Sequence, residues 1–169
     1  MPRPQEHEFA SYYARYISYV KEDDVLMAFA SQAEIITPFL QSIPDDKWDY
    51  AYAEGKWTVK ELVQHVIDTE RIFSYRALRI ARKDETPLPG FDENTYAPAS
   101  LANRRNATEL IEEFLAVRKS TELLFKSFTS SMLQQKGIAS NQSITVNALG
   151  FITLGHFYHH KTVLEERYL

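Results

Sequence analysis

Residues 56–76, KWTVKELVQHVIDTERIFSYR, carry the reading from which the fold follows. Thr58 and Glu61 stand three residues apart, the spacing at which a hydroxyl and a carboxylate satisfy each other's unpaired backbone N–H groups at a helix start. Behind them an apolar stripe runs through Leu62, Val66, Thr69, Ile72 or Phe73, and Arg76 or Ala77 to Ile80, with His65 beside Val66. This pattern predicts one long amphipathic helix from Thr58 to the polar break at 83–85.

The same periodicity extends on both sides. Upstream, Asp23 or Asp24 can cap a helix whose positions Leu26, Phe29, Ala30, Ala33, Ile36 and Leu40 share one face, ending near Ser42 before Pro44. Residues 45–56 then read as a loop whose Trp48, Tyr50 and Tyr52 suit a lid packed on something beneath it. Downstream, 84–105 contains Pro87, Pro89, Gly90 and Pro98 and reads as an irregular crossover, long enough to cover a site. Asn106 with Glu109 opens a third helix, with Leu110, Phe114, Val117, Thr121, Leu124, Phe125 and Phe128 on its face. After a polar connection at 134–143, residues 144–168 read as a fourth helix with Ala148, Ile152, Gly155 or His156, His159 or His160, Val163 and Leu164 down one side. The Tyr-rich stretch 9–20 suits a short extra helix laid across the others. The fold class is therefore all-α, a four-helix bundle with a long loop crossover. It is expected to form a single domain over 1–169, with 1–22 as an N-terminal extension or short helix.

Composition narrows the function. The 169 residues are 44% hydrophobic and 25% charged, a globular balance, and the net charge of −4 speaks against nucleic acid, which demands a concentrated basic surface. No run reaches the roughly 20 apolar residues of a bilayer crossing. Residues 1–9 lack the layout of a signal peptide, so a cytoplasmic protein without a membrane partner is expected. With no cysteine, thiolate-ligated metals, disulfides and a thiol nucleophile are excluded, and with 5 glycines there is no phosphate-cradling loop.

Histidine chemistry remains. His156 and His160 are one helical turn apart and share a face, and His65 lies on another predicted helix. A histidine on an apolar face is more often a hydrogen-bonded core residue, but two imidazoles side by side have few partners when neutral and repel when protonated. Three imidazoles around a divalent metal would leave coordination positions open, as catalytic zinc sites do. His159 falls on the wrong side of the turn for the pair and is expected at the surface or behind the ligands. His7 is assigned no role. Asp68, three residues after His65, is placed to orient an imidazole, to hold a metal-bound water or to act as an acid/base, or else to face solvent. Glu70 and Arg71 read as a surface or inter-helix pair, and Asp92 and Tyr96 lie in the crossover that could reach the site. Phe157 stands where a zincin would carry glutamate, and no Glu-x-x-His pair of a di-iron bundle is present.

The stretch 56–76, together with 154–169, LGHFYHHKTVLEERYL, resembles the DinB/YfiT-like superfamily of metal-binding four-helix bundles from about residue 24 onward. The resemblance implies a three-His site with one ligand on the second helix and two, at x and x+4, on the last, which map onto His65, His156 and His160. It further implies zinc or nickel as the metal, a small-molecule substrate, and a homodimer. The reaction it implies is metal-dependent hydrolysis, or transfer with a low-molecular-weight thiol as cosubstrate. Lys161-Thr162-Val163 departs from the Gly-x-Ile or Gly-x-Leu continuation common in that family. Two rival readings predict different features. A non-catalytic binding or dimerisation module would show a closed or vestigial metal site, and a carrier of a hydrophobic ligand would show a large pocket beneath the Trp48–Tyr52 loop.

Overall fold

The computed structural model describes residues 2–169; Met1, from which the N-terminal reading starts, lies outside them. Among the described residues seven α-helices are ordered α1 (Ala14–Tyr19), α2 (Val25–Gln41), α3 (Val59–Ala81), α4 (Glu93–Ala99), α5 (Ala107–Lys126), α6 (Ser130–Leu133) and α7 (Val146–Arg167), with strands β1 (Lys136–Ala139) and β2 (Gln142–Thr145) before the last. The four long helices α2, α3, α5 and α7 form an all-α four-helix bundle. Each begins on a side-chain cap: Asp24, Thr58 and Asn106, the latter two with Glu61 and Glu109 completing reciprocal boxes, and Thr145.

Helix α7 is the central one. Residues 146–157 are buried without interruption, so the helix has no polar face there and must be enclosed on all sides. It runs antiparallel to α3. Tyr168, just past its end, donates its hydroxyl to the Trp57 carbonyl just before α3 (2.8 Å), while Gly137 of the hairpin preceding α7 lies against Ile80 near the end of α3. Helix α1 crosses α7 so closely that a Cβ on Gly155 would stand 1.9 Å from the Tyr16 carbonyl oxygen.

The core divides into two apolar clusters, one including Phe29, Phe125 and Phe151, the other Ile36, Trp48, Phe114 and Phe157. A buried polar tie sits between them. The Arg118 guanidinium binds both Glu70 oxygens, at 2.7 to 3.1 Å, and also donates to the Gln32 side-chain oxygen, while the Gln32 amide donates to the Leu154 carbonyl at 2.9 Å. Glu70 and Arg71 therefore do not pair with each other as the sequence suggested. One helical step of 100° turns Glu70 inward to Arg118 and Arg71 outward to Glu113.

Two further expectations are corrected. The crossover at 84–105 is not wholly irregular, because Asp92 accepts from the Asn94 N–H and starts α4, which tolerates Pro98 close to its end. The connection at 134–143 is an antiparallel hairpin, closed by Ser140 and Asn141, both at positive φ (51° and 61°), as a two-residue primed turn requires. Leu88 bridges onto Ala139, so the crossover and the hairpin hold each other. Trp48 in the 45–56 loop is buried, and Tyr52 sets its ring 5.0 Å from that of Tyr168. The loop is packed onto the end of α7, and the cavity of about 280 Å³ that it borders is lined with polar groups, Lys56, Asn94, His159 and His160 among them.

Candidate metal centre

The capped start of α3 places His65 about two turns into the helix, and the antiparallel course of α7 brings His156 and His160 against it. The Nε2 atoms of His65 and His156 are 3.1 Å apart, and those of His160 and His156 are 3.0 Å apart. One ligand atom from each residue lies within 4.8 Å of the others. Metal–imidazole bonds of about 2.0–2.1 Å put neighbouring nitrogens roughly 2.8–3.0 Å apart in an octahedral site and roughly 3.3–3.4 Å apart in a tetrahedral one. Hydrogen bonding alone accounts poorly for this convergence. The Nε2 of His156 offers either one proton or one lone pair, and two neighbouring Nε2 atoms compete for it. The donor set therefore fits a divalent cation.

Electrostatics favours the same form of the ligands. Burial, with the neighbouring histidines adding to it, pushes His65 down to about 4 and holds His156 and His160 well below the ordinary imidazole value. All three are neutral near pH 7, with lone pairs available. Around them, Trp57 lies 4.9 Å from the His65 ring and Tyr16 presents its edge to His156 at 5.6 Å. The Thr69 hydroxyl stands 3.5 Å from Nδ1 of His65, whereas Nδ1 of His160 is buried with no hydrogen-bond partner among the described residues. The trio opens onto a cavity of about 300 Å³ whose wall also includes Phe73, Arg76, Phe91 and Glu93.

His159 is half-buried between Tyr16 and Tyr19, 4.9 Å from the His160 ring, and outside the converging trio. Asp68 accepts from the Gln64 amide at 2.9 Å and faces Arg71; among the described residues it bonds none of the three imidazoles. Asp92 caps α4, and Tyr96 is exposed against Phe91, so the crossover reaches the cavity through Phe91 and Glu93 instead. His7 is exposed in an N-terminal turn. The sequence reading missed Arg76 as a cavity residue, although a charged side chain on the stripe that carries His65 was the available signal.

Comparison with known proteins places the chain in a family and a fold. The sequence model of the DinB superfamily matches residues 28–164. A curated protein of Oceanobacillus iheyensis, named for an inferred metal-dependent hydrolase activity, is 27% identical over 110 residues, which cover 60% of this chain and 63% of that protein. The match thus spans less than two thirds of the relative's own length. Among solved structures, YfiT of Bacillus subtilis, described as a metal-dependent hydrolase by inference and as an unusual four-helix bundle, superposes with a TM-score of 0.71 at 17% identity, over 96% of this chain and 89% of that one. The mycothiol-dependent maleylpyruvate isomerase gives a TM-score of 0.65 at 12% identity, over 80% of this chain and 57% of that one. A DinB-like protein of Bacillus subtilis gives 0.58 at 20% identity, over 83% and 86%. At these identities the structural likenesses establish the fold.

Proposed function

The chain belongs to the DinB superfamily, and from that premise we propose that it is a metal-dependent hydrolase of a small molecule, with a divalent ion held by His65, His156 and His160. The observation that carries the proposal is the convergence of three neutral imidazole nitrogens at the wall of a cavity of about 300 Å³. Zinc and nickel are among the ions that suit imidazole donors at such a site. The chemistry an ion supplies there is Lewis-acid activation, of water for hydrolysis or of a thiol for transfer.

The chain's own residues do the rest. Burial keeps the imidazoles unprotonated, so no proton has to be displaced before they bind a cation at neutral pH. The Thr69 hydroxyl can accept from Nδ1 of His65, which would leave the Nε2 lone pair facing the other two. Trp57 and Tyr16 pack their rings against His65 and His156 and so fix how the imidazoles face the cavity. A set of neutral ligands leaves the charge of the cation uncompensated, and that charge suits a thiolate as well as hydroxide. Transfer from a low-molecular-weight thiol is therefore the second reading of the same centre.

Elemental analysis of untagged protein tests the centre directly. About one equivalent of divalent metal per chain, lost in both His65→Ala and His160→Ala, is the expected result, together with a fall in Tm on chelation. Metal-free wild type, with stability unchanged in the variants, would overturn it. Metal-dependent turnover of ester or amide probes, against turnover only when a thiol is added, separates the two reactions.

A further inference from the structure

Arg76 is 2% exposed and carries a charge that cannot be shed, because guanidinium stays protonated in proteins. Its Nη2 donates to the Pro89 carbonyl at 2.6 Å and to the Ser140 hydroxyl at 3.0 Å. Those partners are neutral. No ion pair among the described residues includes Arg76, and neither Nε nor Nη1 has a hydrogen bond among them. Arg118 is buried to a similar degree, yet it is answered by both oxygens of Glu70. The rings of Phe73 and Phe91, 5.9 and 6.0 Å from the guanidinium carbon, offset part of the charge, but a buried charge without a counter-ion is strongly unfavourable and leaves a place for an anion to complete it.

That place is the cavity of the histidine trio, whose wall includes Arg76. Glu93 is the one carboxylate in this wall among the described residues, and it is exposed and unpaired with Arg76. Phe73 links the two ends of the chamber: its ring lies 5.9 Å from the Arg76 guanidinium carbon and 6.1 Å from the His156 ring. We infer that Arg76 is the docking point for an anionic group, a carboxylate or a phosphate, on the small molecule that reacts at the histidines. The substrate class is a compact anion whose charged end and reacting bond lie about one aromatic side chain apart. The assignment of the reacting end rests on the metal reading above; the anionic end rests on Arg76 alone.

The probes are succinate, methyl phosphate and the neutral diamide of succinate. They are titrated at pH 8 and constant ionic strength into the metal-loaded and the metal-stripped protein by isothermal calorimetry, with the intrinsic fluorescence of Trp57, in the cavity wall, and Trp48, buried outside it, as a second readout. Stripped wild type binds at least one of the two anions and not the diamide, and whichever anion binds identifies the group. Arg76→Gln weakens that binding roughly tenfold or more, the worth of a hydrogen bond to a charged group, with metal content unchanged. The discrimination between succinate and its diamide in wild type stands even if the variant folds poorly. Absence of anion binding in stripped wild type, equal binding of succinate and diamide, or undiminished binding in a folded Arg76→Gln overturns the inference. Metal retained with no effect at Arg76 overturns this assignment alone, and anion binding at Arg76 in a protein that takes up no metal overturns the hydrolase reading alone.

Discussion

His65 shows how burial sets both chemistry and stability. Its imidazole is held at about 4 in the folded protein, against 6.5 for an ordinary histidine, chiefly by desolvation. His156 and His160 move in the same direction for the same cause. An unfolded chain protonates these rings near 6.5, so below that value the unfolded state binds more protons than the folded one. The metal-free protein should therefore lose stability as pH falls from 6.5 towards about 4, the window in which His65 differs between the two states. Urea midpoints measured across that range should show a steeper decline in wild type than in His65→Phe; equal slopes would mean that the ring is not held neutral by burial. The pair His156 and His160 was legible in the sequence because a helix makes i and i+4 neighbours. Arg76 was not, because its meaning lies in partners it lacks, and its two acceptors, Pro89 and Ser140, come from segments 13 and 64 residues away.

Among the elements, α1 depends most on a single position. Gly155 lets the Tyr16 backbone touch α7, and an added Cβ would meet the Tyr16 carbonyl oxygen at 1.9 Å and its carbon at 2.4 Å, both backbone atoms that no rotamer change can move. Gly155→Ala should therefore lift α1 and cost about 1–3 kcal/mol, the usual scale of overpacking. Chemical denaturation measures it, and a change of a few tenths would mean that α1 does not cross α7 this closely. Because Tyr16 also borders His156 and His159, the same substitution should loosen the packing around the trio. The long helices were legible from their caps and apolar stripes, and α1 in outline from a run of tyrosines. The hairpin was not. Its strands are four residues each, their burial does not alternate cleanly, and Ser140-Asn141 is a weaker turn signature than Asn-Gly. The crossover stayed hidden for a related reason: its Leu88 is fixed by a bridge to Ala139, a pairing set by tertiary contact rather than by local pattern.

For the molecule as a whole, the Arg118 tie decides whether four helices hold one arrangement. Its guanidinium gathers Glu70 from α3 and Gln32 from α2, Gln32 reaches the α7 backbone at Leu154, and Arg118 itself belongs to α5. It also lies 5.7 Å from the Phe29 ring and 5.9 Å from that of Phe157, thereby touching both apolar clusters. Removing one charge leaves the other buried and unanswered, so Glu70→Ala should cost about 3–5 kcal/mol in urea denaturation. Replacing both residues by methionine removes the unpaired charge and should recover most of that loss, a strongly non-additive pair of substitutions. A cost below about 1 kcal/mol for Glu70→Ala would show that Arg118 finds water and that the tie is not closed. Phe157, beneath the guanidinium, is the residue after His156. The registry that Arg118 imposes therefore passes directly into the placement of the histidines, and the doubly substituted protein, stable but without that registry, should bind metal more weakly than wild type.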